Sequence, residues 1–252
     1  MNGLTRGLRR SLVTGVRSQF FSKNNAFSSE IGKDKSELIY KIQSHRVKPE
    51  DQQNYHDLLD EHILNLHNDE NLPQTLVGSF QVTFGTEDEV IHIWKYSGGY
   101  GALQKSEFNV EANSKYREYR EERRKFLRSR QNQILVQFGH MPDPVPRAGN
   151  STYEMRSYKL KSGSIGEWHY NWANIGLKCR SPEEVVTGFF TNAGPLNLVH
   201  HLWCYKDLKD REETRSKAWN HPAWATHVRN TTPLIKSFET KLMTPLPWSP
   251  LQ

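Results

Sequence analysis

The chain has 252 residues and a formal net charge of +6, with 25% charged and 35% hydrophobic residues, the composition of a folded globular protein. Five of its basic residues lie within the first 29 positions, which contain no Asp or Glu, so the remaining chain has a net charge of only +1. That near-neutral body argues against nucleic-acid binding, because a basic surface is what recognises a phosphate backbone. Two cysteines are too few for a disulfide framework and favour free thiols in a reducing compartment.

Residues 1–29 have the composition of a mitochondrial transit peptide. They are rich in Arg and Ser, lack acidic residues, and carry Leu4, Leu8, Leu12 and Val16 near helical spacing. They also lack the continuous apolar core of a secretory signal. A disordered basic tail is the alternative for this segment.

Residues 36–140 are predicted to form a first domain with the order β-α-β-β-α-β. Alternating apolar residues from Leu38 indicate a strand, and apolar residues at spacings of three and four from Tyr55 to Leu66 indicate a helix. The glycine-rich stretch 98–101 is predicted to be a turn. The other predicted elements are the strands Leu76–Phe84, Val90–Tyr96 and Ile134–Phe138 and the charged helix Ser114–Arg130.

Residues 141–150 contain three prolines in alternation and are predicted to be a stiff linker. Residues 151–246 then repeat the same element order as a second domain. The uncharged run Val185–Tyr205 is broken by Asn, Gly and Pro and is predicted to be two strands around a turn, not a membrane helix. The other predicted elements are the strands Tyr153–Leu160 and Ser237–Met243 and the helical regions 165–179, 207–219 and 223–236, followed by a frayed proline-rich tail.

The two domains are related as copies. Val90–Tyr96 and Val199–Tyr205 share Val, His, Trp and Tyr at alternate positions, 109 residues apart. Further pairs at similar offsets are Tyr40 with Tyr153, Ser44 with Ser157, and Gly78 with Gly188. The predicted fold class is therefore α+β, with tandem ferredoxin-like repeats whose sheets together close an α/β barrel.

The repeated His-Trp-Tyr strand face is the sharpest candidate for a functional site. Its members are His92, Trp94 and Tyr96 in the first copy and His201, Trp203 and Tyr205 in the second. A pocket lined by these residues and Arg156 would offer imidazole as an acid, a base or a ligand. The alternative is that these amphipathic rings fill the space between the two sheets.

No catalytic residue, metal ligand or cofactor is assigned. His200 alternates with His201 and is expected to point to the opposite strand face, so the two cannot hold one metal ion. Glu154 and Arg156 share a strand face; Arg156 could reach a carboxylate or a phosphate, and a structural ion pair across strands is the favoured alternative. The segment Ser114–Arg130 has eight basic and three acidic residues and is predicted either to be a solvated helix or to contact acidic partners or a mitochondrial membrane.

Several longer motifs resemble the NIPSNAP family. They are Ser97–Tyr100, Tyr153–Lys161, Val199–Trp203, Tyr205–Leu208, Arg211–Arg215 and Ser249–Gln252. The resemblance runs from about residue 38 onward. It implies a tandem dimeric α/β barrel and a mitochondrial location, in the matrix with display on the outer surface after damage.

The same resemblance implies a non-enzymatic adaptor that recruits autophagy receptors and autophagy ubiquitin-like proteins to damaged mitochondria. It also implies homo- or hetero-oligomers with other NIPSNAP proteins. The rival hypothesis is a small-molecule-binding or oxidative enzyme that uses a pocket between the two sheets. A short autophagy motif needs an aromatic residue and an aliphatic residue three positions later, a spacing met by Trp248 with Leu251 and by Tyr100 with Leu103.

Overall fold

In the computed structural model, which describes residues 37–252, eight strands close into one antiparallel barrel with helices on its outer surface. The strands are β1 (Leu38–Val47), β2 (Gln74–Phe84), β3 (Glu89–Ser97), β4 (Leu127–Gln137), β5 (Thr152–Leu160), β6 (Val185–Ala193), β7 (Leu198–Tyr205) and β8 (Ile235–Pro245). The α-helices are α1 (Gln52–Asn68), α2 (Gly99–Ala112), α3 (Ser114–Lys125), α4 (Ile165–Asn171), α5 (Leu208–Trp219) and α6 (Trp224–Thr231).

The barrel order is β1-β3-β2-β8-β5-β7-β6-β4, so each repeat supplies four strands. Two antiparallel seams join the repeats: β2 pairs with β8, and β4 pairs with β6. Because every strand has two neighbours, neither repeat has an open sheet edge. The predicted α+β fold of tandem ferredoxin-like repeats is confirmed, and the two sheets close a barrel as expected.

Strand alternation divides the apolar core into three clusters. One fills the barrel interior and includes Tyr40, Phe80, Phe189 and Leu202. The other two lie between the outer barrel surface and the helices of each repeat. The barrel interior is thus a packed core to which both repeats contribute.

Helix α2 (Gly99–Ala112) corrects the prediction of a turn at residues 98–101. Gly98 takes the left-handed conformation, with φ of 101°, and the helix begins at the next residue. Buried Ala102, Leu103, Ser106 and Val110 form its inner face. The glycines at the start of this helix led to the prediction of a turn, because glycine is common in turns and is also tolerated at a helix N-cap.

Helix α3 ends at Lys125, so the predicted helix Ser114–Arg130 is too long. Strand β4 begins at Leu127 and contains Arg128 and Arg130. The helix predicted over residues 165–179 is also interrupted: after α4 the chain makes a π-helical turn, Trp172–Gly176, and a 3₁₀ turn. At Gly176 an added Cβ would lie 2.6 Å from His227 Cε1, so the close approach of α6 requires glycine there.

The tail expected to fray is packed instead. Trp248 joins the helix-side cluster of the first repeat, and Leu251 joins the barrel interior. Main-chain hydrogen bonds run from Leu246 N–H to Ser79 O and from Gln252 N–H to Arg147 O. The prolines therefore shape an ordered segment anchored on both repeats.

The uncharged run Val185–Tyr205 forms β6, a turn and β7, which confirms that prediction. Across residues 37–252, no helix has the length and apolar character needed to cross a membrane. The proposed transit peptide, residues 1–29, lies outside the described part of the chain.

Candidate functional site

The two repeated His-Trp-Tyr faces lie on the outer side of the barrel wall, beneath the helices. Trp94 and Tyr96 of β3 belong to the first helix-side cluster, and Trp203 and Tyr205 of β7 belong to the second. Strands β3 and β7 are four positions apart in a ring of eight, so they stand on opposite sides of the barrel. The structure does not bring the two faces together, and they do not line one pocket between the sheets.

His92 belongs to a buried chain of hydrogen bonds in the first repeat. Its Nδ1 lies 2.8 Å from Ser79 Oγ, and its Nε2 lies 3.0 Å from Tyr55 Oη. Tyr55 Oη lies 2.7 Å from His45 Nδ1. At the other end, Trp248 Nε1 donates to Ser79 Oγ at 2.9 Å. The chain links β1, α1, β3, β2 and the tail.

Each contact in this chain can be a hydrogen bond with both histidines neutral. Since the indole of Trp248 can only donate, Ser79 accepts from it and can donate to His92 Nδ1. His92 Nε2–H can then donate to Tyr55, whose hydroxyl donates to His45. Burial, with smaller contributions from Arg123 and His56, lowers the pKa of His92 to about 3. The arrangement is a neutral structural network closed to solvent.

Trp94 and Tyr96 are likewise held by polar partners. Trp94 Nε1 donates to Gln43 Oε1 at 2.8 Å, and Tyr96 Oη donates to Gln74 Oε1 at 3.2 Å. Ser106 of α2 donates to the same Gln74 oxygen at 2.8 Å. These bonds fix the first-repeat face between the sheet and its helices.

His201 sits within a cage of aromatic rings in the second repeat. Its ring centroid lies 4.5 Å from Trp172, 5.8 Å from Tyr158, and 5.9 Å from both Trp168 and Trp203. Within residues 37–252, neither ring nitrogen has a hydrogen-bond partner. Burial, reinforced by nearby cationic groups, holds the pKa of His201 well below its usual range, so the ring is neutral.

Trp203 and Tyr205 are covered by a buried arginine. The Arg180 guanidinium lies 4.4 Å from the Trp203 ring centroid and donates to Tyr205 Oη at 2.9 Å. Arg180 also donates to Glu184 at 2.5 Å, which neutralises its charge. The second-repeat face is therefore filled by rings and an internal ion pair, and these aromatics pack between the sheet and its helices, not between the two sheets.

Arg156 is the cross-strand partner of His201 in the pairing of β5 with β7, but its guanidinium belongs to an ion-pair cluster around Glu154. The ion pair with Glu154 lies along β5 and not across strands. Glu154 is fully buried and accepts from Arg156 at 3.0 Å and from Arg211 of α5 at 2.9 Å on each oxygen. Arg215 approaches within 3.9 Å. Burial would raise the pKa of Glu154, but these arginines outweigh it and lower the pKa, so the carboxylate stays ionised.

His200 points into the barrel, on the opposite strand face from His201, as predicted. Its Nδ1 lies 2.8 Å from Ser157 Oγ and its Nε2 lies 2.8 Å from Gln133 Oε1. Among the residues that the structure describes, no group of three His, Cys, Asp or Glu side chains is arranged to hold a metal ion.

The two candidate autophagy motifs are not displayed as extended peptides. The side chains of Trp248 and Leu251 are buried, with exposed fractions of 8% and 1%. Tyr100 and Leu103 lie on helix α2, and Leu103 packs inward. A receptor that adds a motif as a β-strand would have to detach either segment first.

A cationic cleft in the first repeat was missed by sequence reasoning. It holds about 290 Å³ and lies where α3 faces strands β1 and β4, with Arg120, Arg123, Arg124 and Arg130 on its walls. The sequence does show the concentration of basic residues in the segment 114–130. Its division between a helix and a strand, which turns these arginines toward one another, depends on the tertiary structure.

Comparison with known proteins places the chain in a family. The NIPSNAP family model matches residues 153–250. Protein NipSnap homolog 1 of Danio rerio is 42% identical over 99% of this chain and 91% of its own length. Protein NipSnap homolog 2 of Homo sapiens is 40% identical over 91% of this chain and 80% of its own.

Solved structures support the fold alone, because their sequence identities are low. A proposed monooxygenase from Lactobacillus acidophilus matches with a TM-score of 0.60 at 14% identity, over 82% of this chain and 93% of its own. An anthrone oxidase-like protein matches with a TM-score of 0.55 at 8% identity, over 86% of this chain and 94% of its own. With relatives of about two-fifths identity across nearly its whole length, and with the family motifs on β5, β7 and α5, the chain belongs to the NIPSNAP family.

Proposed function

We propose that this NIPSNAP protein is a non-enzymatic mitochondrial adaptor. Residues 1–29 direct it to the matrix, and failure of import on damaged mitochondria leaves it at the outer surface. There it recruits autophagy receptors and autophagy ubiquitin-like proteins. Homo- or hetero-oligomers with other NIPSNAP proteins belong to the same proposal.

The observation that carries this proposal is the packing of the repeated His-Trp-Tyr faces. His92 is satisfied within a closed hydrogen-bond chain, and His201 is enclosed by indole and phenol rings. A catalytic imidazole needs contact with a substrate proton, which a sealed ring lacks. The candidates with the strongest sequence signal are therefore better explained as the framework of a binding scaffold.

A groove on the second repeat is the surface best suited to a protein partner. It has a volume of about 700 Å³ and is lined by Phe84, Leu208, Trp219 and Leu242, with Arg211 and Arg215 beside them. Phe84 and Trp219 are each 61% exposed. Exposed aromatic side chains such as these are among the residue types that dominate binding energy at protein interfaces. We assign this groove to the autophagy receptors.

The test compares the full chain with three variants in cells whose mitochondria are depolarised. A chain lacking residues 1–29 removes the proposed targeting signal. Trp219→Ser alters the groove, and Phe108→Ser is its matched control, since Phe108 is 72% exposed on the other repeat. The measurements are protease accessibility of the protein on isolated mitochondria and co-precipitation of autophagy ubiquitin-like proteins.

We expect depolarisation to make the full chain protease-accessible and to increase its co-precipitation with autophagy ubiquitin-like proteins. Trp219→Ser should reduce this co-precipitation, and Phe108→Ser should leave it unchanged. The truncated chain should not associate with mitochondria. No enrichment of autophagy factors after depolarisation would refute the adaptor role. An equal loss in both surface variants would refute the assignment of the groove.

The enzyme hypothesis keeps one specific observation in its favour: the two nitrogens of His201, which have no partner among the described residues. Buried polar atoms normally have partners, and exceptions often mark functional sites. In an enzyme, those nitrogens would meet a substrate that enters among the surrounding rings. The His201→Phe variant described in the Discussion separates this alternative from a packing role.

A further inference from the structure

Four arginines converge on the cleft between α3 and β4 of the first repeat. Arg120, Arg123 and Arg124 come from the helix, and Arg130 comes from the strand, together with the amides of Gln131 and Asn132. The cleft volume of about 290 Å³ corresponds to roughly ten water molecules at about 30 Å³ each. This is room for a small anion.

The cleft contains more positive charge than its own carboxylates neutralise. Among the residues that the structure describes, Glu107 is the single acidic one on its walls, and it is shared between Lys41 and Arg120, each at 2.8 Å. Arg124 pairs with Glu121 one helical turn away. Within the described part of the chain, Arg123 and Arg130 form no ion pair.

Arg123 is the strongest indication of a ligand. It is only 8% exposed, and its Nε has no hydrogen-bond partner among the described residues. Its Nη1 donates a long hydrogen bond to the Tyr119 hydroxyl at 3.5 Å, and its guanidinium lies 5.1 Å from the centroid of the Tyr119 ring. A buried guanidinium without a counterion is costly, and guanidinium geometry matches two oxygens of one anion.

The second repeat shows how this fold neutralises such arginines from within. There Glu154 of β5 accepts from Arg211 of α5 and lies near Arg215. With Tyr40 and Ser44 matching Tyr153 and Ser157, the position equivalent to Glu154 is Lys41. The first repeat therefore has a cation where the second has its internal anion.

The arginines also raise one another's electrostatic free energy. Burial, followed by the charges of Arg124, Arg123 and Arg120, lowers the pKa of Arg130. An incoming anion would relieve this repulsion as well as bind each guanidinium, so the cleft is electrostatically suited to a group with more than one negative charge.

We propose that this cleft binds a phosphate group, with Arg123 and Arg130 as its main ligands. Phosphate has enough oxygens to accept from both guanidinium groups and from the amides of Gln131 and Asn132 at once, whereas a carboxylate has two. The ligand is a soluble phosphate compound or the headgroup of an anionic lipid. The proposal is independent of the adaptor function.

The test uses the full chain with sodium phosphate as the first probe and sodium chloride at equal ionic strength as the reference. Binding is measured by titration calorimetry for the parent chain and for Arg123→Gln and Arg130→Gln. Arg117→Gln is the matched control: Arg117 lies on α3 and is exposed, but lies outside the cleft. Arg130 is exposed, so Arg130→Gln is expected to fold even if the change at the buried Arg123 prevents folding. The Arg130→Gln variant therefore still tests the proposal in that case.

We expect the parent chain and Arg117→Gln to bind phosphate alike and each cleft variant to bind about tenfold more weakly, the loss of one charge-assisted contact. No preference for phosphate over chloride would overturn the proposal, as would equal weakening by Arg117→Gln, which indicates diffuse attraction. Unchanged affinity in Arg130→Gln would also overturn it.

A second arm distinguishes the two sources of the phosphate. The same chains are floated with phosphatidylcholine vesicles that contain or lack phosphatidic acid. Flotation that requires phosphatidic acid and is lost in Arg130→Gln but not in Arg117→Gln assigns a lipid headgroup. Phosphate binding in the parent chain without flotation assigns a soluble ligand.

Discussion

At the scale of single residues, the buried histidines have lowered pKa values that make the stability of the fold depend on pH. Desolvation lowers the pKa of His45, His92, His200, His201 and His227, to about 4 for His200 and His227. Between these values and the ordinary value of about 6.5, the unfolded chain binds more protons than the folded one. The free energy of unfolding should therefore fall as pH is lowered from about 6.5 toward 4, and each such histidine should contribute about 1.4 kcal/mol to that fall per pH unit. Urea unfolding at a series of pH values measures it.

His201→Phe should leave the free energy of unfolding at neutral pH unchanged or higher. Phenylalanine has a ring of similar size, and the two nitrogens that it removes have no partners among the described residues. The variant should also lose less stability than the parent chain as pH falls below about 6.5, because one group with a lowered pKa is gone. Urea unfolding of both chains across pH measures both effects.

The control for this variant is His62→Phe, since His62 lies half-buried on α1 outside both aromatic faces. Its free energy of unfolding at neutral pH is the reference for exchanging an imidazole for a phenyl ring outside those faces. A loss of more than about 2 kcal/mol at neutral pH in His201→Phe would mean that its nitrogens bind something, which would favour the enzyme hypothesis.

The glycines that match between repeats have a packing role at the scale of strands. Gly78 lies at a register shift of β2, where an added Cβ would meet Phe80 at 2.6 Å. At Gly188 on β6, an added Cβ would lie 2.9 Å from Met141 Cε and 3.0 Å from His201 Cδ2. In both repeats, glycine allows a neighbouring side chain to lie against the strand.

Gly188→Ala should lower the free energy of unfolding by about 1–3 kcal/mol, the usual cost of overpacking a core. Thermal or urea denaturation measures the change. Gly166→Ala is the matched control, because no atom lies within 4 Å of its added Cβ and alanine favours the helix. A neutral outcome at Gly188 would mean that Met141 and His201 can move aside.

The tail is a structural element, although it has no helix or strand of its own. Trp248→Ala should lower the free energy of unfolding by about 3–5 kcal/mol, because it empties a buried site and leaves Ser79 without its indole donor. Trp219→Ala, at an exposed position, should cost about 0.5 kcal/mol or less. Equal stability of Trp248→Ala and the parent chain would show that the tail is free to act as a short autophagy motif.

At the scale of the whole molecule, closure of the barrel stabilises the fold. The two seams, β2 with β8 and β4 with β6, are each formed by one strand from either repeat. The interior cluster likewise draws residues from both repeats. One repeat by itself would expose both seam strands and half of that cluster to water.

A fragment of residues 141–252 should therefore dimerise, with the seam strands of two copies pairing as the two repeats do here. Light scattering after size exclusion should give twice the fragment mass, while the chain of residues 37–252 serves as the reference for a barrel closed within one molecule. A folded monomeric fragment would contradict this prediction.

Element order, strand positions near the repeated motifs and the duplication follow from the sequence, because they depend on local periodicity. The two strands predicted within Val185–Tyr205 are β6 and β7, and the assignment of His200 and His201 to opposite faces is confirmed. Helix α2 was missed because its glycine-rich start is also a turn signal. Period-two alternation identifies which residues share a strand face but not whether that face turns inward, so the sequence could not show that the two His-Trp-Tyr faces lie on opposite sides of the barrel.

The sequence by itself determined that this chain is a duplicated α+β protein with the NIPSNAP motifs, since period, spacing and repetition are properties of neighbouring residues. Only the tertiary structure decided that the His-Trp-Tyr faces turn outward under helices and that Trp248 is buried. It also decided that Arg123 and Arg130 line one cleft, in which neither pairs with a carboxylate of residues 37–252. These outcomes depend on which distant segments cover each surface, and burial and charge pairing between distant segments are set only when the barrel closes.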